Sequence, residues 1–220
     1  MSLLRAFIAI EIPHEVQQTI HKATAVLRGE LGACVRWVPV ENIHLTLKFL
    51  GDVSPAQVDM LASILRAKAD SVPAFDIHVG RLGSFPNMKR ARVLWVGVQA
   101  PAGMQKLSRG VESACARLGY ESESRGFSPH LTLGRVRQDA TPQDAEKIRH
   151  ALERLTIDSL GTARVDSVHL FKSDLKPSGA VYTKLFSAPL RRVMMSEAKH
   201  LSQRTRDSSP SAQSDTDNLR

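Results

Sequence analysis

His44-Leu45-Thr46-Leu47 recurs, letter for letter, as His130-Leu131-Thr132-Leu133. Read as β-strand, each copy sets its His and Thr on one face and its two Leu on the other, because strand side chains alternate with a period of two. The Leu face can be buried, and the imidazole and hydroxyl then stand about 7 Å apart along the strand on the open side. A helix would scatter the four residues around its circumference, and the Leu and Thr content also favours strand. A single such tetrapeptide is most simply a half-exposed surface pair on an amphipathic strand. Two identical copies in a chain with 8 His point to a duplicated half-site.

The surrounding chain keeps the same register. An offset of 86 residues carries His44 onto His130 and Phe7 onto Val93, and Ser54-Pro55 comes within one residue of Thr141-Pro142. Outward from the first copy, Phe7 to Ile12 reads as a buried strand, and Val16, Ile20, Ala23 and Leu27 read as one helix. Val35 to Val38 is a short extended piece before the first His strand, Ile43 to Leu50. Ser54-Pro55-Ala56-Gln57 has the N-cap, N1 proline and N3 glutamine of a capped helix. Phe75 to Leu82 and Val93 to Val98 read as strands, and Met104, Leu107, Val111, Ala114 and Leu118 mark a helix ending at Gly119. The second His strand runs Leu131 to Val136. Thr141-Pro142 opens a helix with Ile148, Leu152 and Leu155, and strands at Arg164 to Phe171 and Val181 to Phe186 follow. The expectation is an α+β fold in which a strand-helix-strand-helix-strand unit, over about 5–83 and 91–187, occurs twice. A pseudo-twofold arrangement brings the two His-x-Thr faces together across a cleft.

Composition limits the functional classes. At 220 residues and 42% hydrophobic the chain is a soluble globular protein with a full core. Its net charge of +8 points to a polyanionic partner, nucleic acid before a phosphorylated small molecule. Cys34 and Cys115 are too few for a disulfide framework or a cysteine zinc site and read as reduced packing residues of a cytoplasmic protein. No run reaches the length of a membrane span, and Glu11 cuts off the short apolar stretch Phe7-Ile8-Ala9-Ile10, so neither a membrane helix nor a signal peptide is expected. The folded domain is expected over 1–190. Residues 191–220 read as a disordered polar tail with six basic and four acidic residues, which leaves +6 on the folded part.

Two facing imidazoles suit a displacement in which one proton is removed and another delivered, since a reference pKa of about 6.5 lets one be neutral while the other is charged near pH 7. The Thr hydroxyls and basic side chains suit the non-bridging oxygens of a pentacoordinate phosphoryl transition state. Neither motif has a carboxylate cluster or a third ligand beside it, and catalytic zinc normally takes three protein ligands, so acid–base chemistry without metal or cofactor is preferred.

The paired motifs also carry a resemblance. With Trp37-Val38-Pro39, Glu41-Asn42-Ile43-His44-Leu45-Thr46-Leu47-Lys48-Phe49-Leu50-Gly51, Phe85-Pro86-Asn87, Val93-Leu94-Trp95-Val96-Gly97, Pro129-His130-Leu131-Thr132-Leu133-Gly134-Arg135 and Val165-Asp166-Ser167-Val168-His169-Leu170-Phe171, the chain resembles the two-histidine phosphoesterase superfamily. Within it the chain is similar to the RNA 2′,3′-cyclic phosphodiesterases, also called 2′-5′ RNA ligases, from about Leu4 to Leu190. The resemblance implies a bilobal, mostly antiparallel fold with helices outside. It implies metal-independent hydrolysis of RNA 2′,3′-cyclic phosphate ends to 2′-phosphates by a monomer, tRNA fragments being candidate substrates, and a reversible 2′-5′ joining activity. His44 then resembles the proton donor and His130 the proton acceptor, with Thr46 and Thr132 on phosphate oxygens and Arg135 and Phe127 as further substrate contacts. The chain departs from the family's common Arg-Pro-Phe at Arg125-Gly126-Phe127, which loosens that loop.

For Arg135, strand parity places the side chain with Leu131 and Leu133 on the buried side, unless the strand ends or a bulge at Gly134 re-aims it. Lys48 shares the His44 face by parity and reads as an exposed strand lysine. Lys89, Arg90 and Arg92 form a basic loop suited to RNA phosphates or to plain solvation. Phe127, Phe85 and Trp37 are candidates for stacking a terminal base, and Trp95 reads as core. His14, His21, His78, His150 and His169 occur singly and read as surface or core, and His200 lies in the tail. A phosphodiesterase for another small cyclic phosphate or a 2′-5′ oligonucleotide, or a non-catalytic RNA-binding module, would use the same four motif residues.

Overall fold

The computed structural model describes residues 3–177 and 179–192. Along them run β1 (Leu4–Glu11), α1 (His14–Ala23), α2 (Ala25–Leu31), β2 (Val35–Trp37), β3 (His44–Val53), α3 (Pro55–Asp70), β4 (Phe75–Phe85), β5 (Val93–Gln99), α4 (Ala102–Arg117), β6 (His130–Val136), α5 (Pro142–Arg154), β7 (Gly161–Val165), β8 (Ser167–Lys176) and β9 (Gly179–Pro189). The strands form one curled sheet in the order β7-β4-β5-β6-β3-β1-β8-β9, with β2 alongside β6. Every ladder is antiparallel. The expected α+β fold with two related halves is present, and the two His strands are its central neighbours.

Reflection about the β6–β3 seam maps β5 onto β1, β4 onto β8 and β7 onto β9. The mapping crosses the sequence halves. β4, the last strand of the first repeat, pairs with β5 of the second, while β8 of the second pairs with β1 of the first. Each half of the sheet is therefore completed from the other repeat, by β4 in one half and by β8 and β9 in the other.

β1 shows why its apolar run is continuous. Ala6, Ile8 and Ile10 face the main core, whereas Phe7 and Ala9 face the opposite side with Phe171. Leu45 and Leu131 are both fully buried in the main core beside Leu61, Leu65, Met104 and Leu107 of the helices. Burying each such side chain contributes about 1.5–3 kcal/mol.

The helix starts follow their sequence signals. The Ser54 backbone N–H donates to Gln57 Oε1 at 3.0 Å, and at α5 the Thr141 N–H donates to Asp144 Oδ2 at 2.9 Å while Thr141 Oγ1 accepts from the Asp144 N–H at 3.1 Å. Elsewhere the structure corrects the reading. The helix expected from Val16 through Leu27 breaks at Thr24, whose hydroxyl donates to the Ile20 carbonyl at 2.8 Å. The strand expected over Arg164 to Phe171 is two strands, parted at Asp166, that lie in different halves of the sheet. Of the expected tail, Arg191 makes an isolated bridge to Pro73, and residues beyond Arg192 lie outside those described.

Candidate active site

β3 and β6 are registered through one pair, Leu45 opposite Leu131. Read outward from that pair, His44 faces Thr132 and Thr46 faces His130 on the open side of the sheet. Directly opposed side chains have Cβ atoms about 5 Å apart, so four polar groups converge on one small area of the cleft.

Both strands then bulge at the same place in the motif. The β1–β3 register slips at Leu47 and the β5–β6 register slips at Leu133. A bulge inserts one residue and exchanges the faces of everything after it. Beyond Leu47, Lys48 lies opposite the core residue Ile8, and Phe49 joins Phe7 on the cleft side, 66% exposed. Beyond Leu133, Gly134 lies opposite the core residue Leu94, and Arg135 joins the cleft side opposite Val93, exposed. The open question about Arg135 is thus resolved by a bulge one residue earlier than Gly134. The expected exposure of Lys48 is corrected: Lys48 is 6% exposed, its Nζ donating to Glu112 Oε1 at 2.8 Å and to the Glu121 carbonyl.

Lys48 consequently ties β3 to the loop that leads into His130. Glu112 Oε1 also accepts from the Glu123 N–H at 3.1 Å, so one ion pair gathers both sides of that loop. Lys48→Met keeps the buried stem but removes these bonds. It is expected to cost about 1–3 kcal/mol and to speed amide exchange at Glu123, as read by hydrogen–deuterium exchange. Unchanged exchange there would count against the tie.

The imidazoles are held alike. His44 Nδ1 lies 2.7 Å from the Asn42 carbonyl and His130 Nδ1 lies 2.7 Å from the Ser128 carbonyl. A carbonyl only accepts, so Nδ1 carries hydrogen in both rings and Nε2 is left for chemistry. The Asn42 side chain also donates to the Ala180 carbonyl at 2.9 Å, linking the turn before His44 to β9. Burial pushes both imidazoles below their ordinary pKa. The opposing cause is in each case the backbone carbonyl, and the charge of His130 lowers His44 further while that of Arg135 lowers His130.

The walls beside the two rings are aromatic. His44 stacks on Phe7 with centroids 4.9 Å apart and meets the edge of Tyr182 at 5.3 Å. His130 meets Phe85 edge to face at 4.8 Å, with Trp95 at 6.4 Å. Beside His44 opens a cavity of about 510 Å³ lined in part by Phe7, Glu11, His169, Phe171 and Tyr182.

A family model described as LigT like phosphoesterase matches the chain twice, over residues 10–95 and 96–182. The chain belongs to the LigT-like phosphoesterases. A protein of Methanothermobacter thermautotrophicus named RNA 2′,3′-cyclic phosphodiesterase is 31% identical over 83% of this chain and 96% of its own length. One of Escherichia coli with the same name is 34% identical over 73% of this chain and 89% of its own. Among solved structures, TT0787 of Thermus thermophilus superposes with a TM-score of 0.72 at 27% identity, covering 86% of this chain and all of that one. Escherichia coli LigT in complex with 3′-AMP gives 0.67 at 27% identity over 86% and 98%.

In this LigT-like cleft the structure brings together His44, Thr46, His130, Thr132 and Arg135, with Phe85 beside His130. It does not bring Trp37 there. Trp37 lies opposite Gly134 on the core side, under the Arg28 guanidinium at 4.8 Å. Phe127 is half-buried against the main core, and Arg125 pairs with Glu123. Trp95, read as core, instead lies half-exposed on the cleft side over Gly83, where a Cβ would come within 2.2 Å of its ring. Lys89, Arg90 and Arg92 are exposed, and the Arg92 carbonyl accepts from Val136 at the end of β6.

Sequence reasoning missed Phe7, Phe49 and Tyr182 as cleft residues, although the 86-residue offset sets Phe49 against Arg135 and so carried a signal for that one. It also left His169 unassigned. That ring is 5% exposed, 2.8 Å from Ser187 Oγ and 3.3 Å from Glu11 Oε2. Among the described residues no group of three or more His, Cys, Asp or Glu is placed to hold a metal ion, and no helix is long and apolar enough to cross a membrane.

Proposed function

We propose that this LigT-like phosphoesterase hydrolyses RNA 2′,3′-cyclic phosphate ends to 2′-phosphomonoesters by two-histidine acid–base catalysis. The observation that carries the reading is the crossed pairing of two imidazoles and two hydroxyls, each imidazole anchored through Nδ1 with Nε2 free. The names of the relatives support RNA as substrate.

In the proposed step, His130 Nε2 takes a proton from water as its oxygen bonds to phosphorus. The bond from phosphorus to the ribose 3′-oxygen breaks, and His44 Nε2–H delivers its proton to that oxygen. Thr46 and Thr132 donate to the non-bridging oxygens, where charge gathers in the transition state. Both imidazoles are lowered in pKa by burial, and an anionic substrate against His44 opposes that by favouring its charged form. The donor and acceptor roles follow motif order within the family. The cavity beside His44 has the size of a nucleotide site and gives the ribose and base room on the leaving-group side. In the same displacement, a 5′-hydroxyl in place of water would lose its proton to His130, expel the 3′-oxygen and make a 2′-5′ linkage, provided a second RNA end is bound beside the first. The protein is proposed to act as a cytoplasmic monomer on RNA ends, tRNA fragments among them.

A short RNA with a 2′,3′-cyclic end, incubated with the protein and EDTA, tests this. Full turnover to a 2′-phosphate by phosphorus NMR is expected. Activity lost to EDTA and restored by zinc or manganese would remove the metal-free mechanism, and a 3′-phosphate product would reverse the bond assignment.

A further inference from the structure

Two arginines stand directly opposite each other where the cleft runs on past Thr132. β2 pairs with β6 so that Arg36 lies across from Arg135. Side chains opposed in this way share a face of the sheet, with Cβ atoms about 5 Å apart. That face is the cleft face, because Arg135 follows Thr132 around the bulge at Leu133 and its charge acts on both His130 and Tyr182. Both arginines are exposed.

Like charges set directly across a ladder destabilise it. Arg125, Arg137, Arg149, Arg154 and Arg164 each lie against a carboxylate, while several other arginines, such as Arg90 and Arg92, have none among the described residues; what sets Arg36 and Arg135 apart is that they face each other. Among the described residues, Arg36 and Arg135 have no carboxylate within ion-pair distance. Nor can they slide apart. The adjacent pair, Trp37 and Gly134, turns to the core side, where a Cβ on Gly134 would sit 3.1 Å from Trp37 Cε3 and 2.6 Å from Val35 Cγ1. That close approach fixes the register of β2 on β6 and holds the two cations together.

We propose that Arg36 and Arg135 form an anion subsite for the phosphodiester on the 5′ side of the terminal nucleoside, so that the preferred substrate is a strand end of at least two nucleotides rather than a cyclic mononucleotide. The proposal rests on the reading of the cleft as a site for RNA cyclic phosphate ends. The reacting phosphoryl group lies between Thr46 and Thr132. Because the bulge makes Arg135 the next cleft-facing residue after Thr132, its Cα lies roughly 7 Å further along the strand, and Arg36 lies one strand beyond it. The anion reached by both is the neighbouring phosphodiester. Its two free oxygens match the planar donors of two guanidinium groups, and its charge removes the repulsion between them.

The test compares binding of a nucleoside 2′-monophosphate with binding of a dinucleotide that carries the same terminal 2′-phosphate, by calorimetry, with turnover of the two cyclic forms followed in parallel. The wild-type protein is expected to bind the dinucleotide about tenfold more tightly, the scale of one charge-assisted hydrogen bond. Arg36→Gln is expected to erase that advantage and Arg36→Lys to keep part of it, with the melting temperature of the free Arg36→Gln protein no lower than that of the wild type. The salt dependence of dinucleotide binding should also fall by about one phosphate contact in Arg36→Gln. Equal binding of the two ligands by the wild type, or an undiminished advantage in Arg36→Gln, would overturn the subsite. An advantage that depends on Arg36 in a protein that turns over neither cyclic form would keep the subsite and remove the proposed reaction instead.

Discussion

Replacing His130 with Ala is expected to lower turnover of an RNA cyclic phosphate end by at least about 10²-fold, the scale of a positioned acid or base, and His44→Ala should do the same. Each ring packs on aromatic neighbours from one side only. His44 Nδ1 and His130 Nδ1 each engage one carbonyl, and both rings line an open cleft, so the melting temperatures should stay near the wild-type value. The pH profile adds a sign. The proposed step requires His130 neutral, which favours high pH, and His44 protonated, which favours low pH, so kcat/KM is expected to be bell-shaped with its maximum midway between the two pKa values. Burial puts both below 6.5 in the free protein, and the maximum of kcat/KM is therefore expected on the acid side of 6.5. A profile flat from about pH 5 to 9, or a single variant with wild-type rate, would refute the paired mechanism.

Leu45→Ala is expected to have the largest effect on stability. Leu45 is fully buried at the one registered contact between the two halves of the sheet, opposite the equally buried Leu131. Truncating a leucine at such a site costs about 2–5 kcal/mol, because the lost transfer energy is joined by an unfilled cavity. In a chain of this size that is a fall of roughly 5–15 °C in Tm. The same change loosens the strands that carry His44 and His130, so activity at a temperature well below the transition should also drop. Denaturant unfolding checks the first expectation and turnover at low temperature the second. A Tm within a degree of wild type would mean that the seam is held by something other than this pair.

Repetition made the centre of the site legible. The identical tetrapeptides placed His44, Thr46, His130 and Thr132 on one face, and the shared offset placed their strands in equivalent positions. Parity arguments then failed after three residues, for a physical reason. A bulge is a local slip in pairing that either neighbouring strand can accommodate; nothing in Leu47-Lys48-Phe49 announces it, and in Leu133-Gly134-Arg135 only the glycine hints at it. The same slip hid Lys48, which became a core cation paired with Glu112, and brought out Arg135. Trp95 read as core because its neighbours Leu94 and Val96 are fully buried, yet its own room on the cleft side comes from Gly83, a residue on another strand. The split at Asp166 was equally hidden: Val165 and Val168 are both buried, but against different parts of the sheet. Long-range pairing decided each of these, and local propensity carries no information about it.

The exchange of β4 and β8 between the two repeats bears on how the protein is made. Residues Ala6–Ala9 of β1 pair on one side with β3, synthesised soon afterwards, and on the other with Lys172–His169, which leave the ribosome much later than β3. Domains of larger proteins generally fold as they appear, N-terminal first. Here the first repeat leaves the ribosome with a bare apolar edge, and Phe7, the floor under His44, waits for Phe171 to cover it. The nascent half cannot mature alone, and the cleft that holds His44 and His130 is assembled only when almost the whole sheet has been threaded together. Truncated products that end before β8 would consequently expose a sticky strand and be prime clients for chaperones.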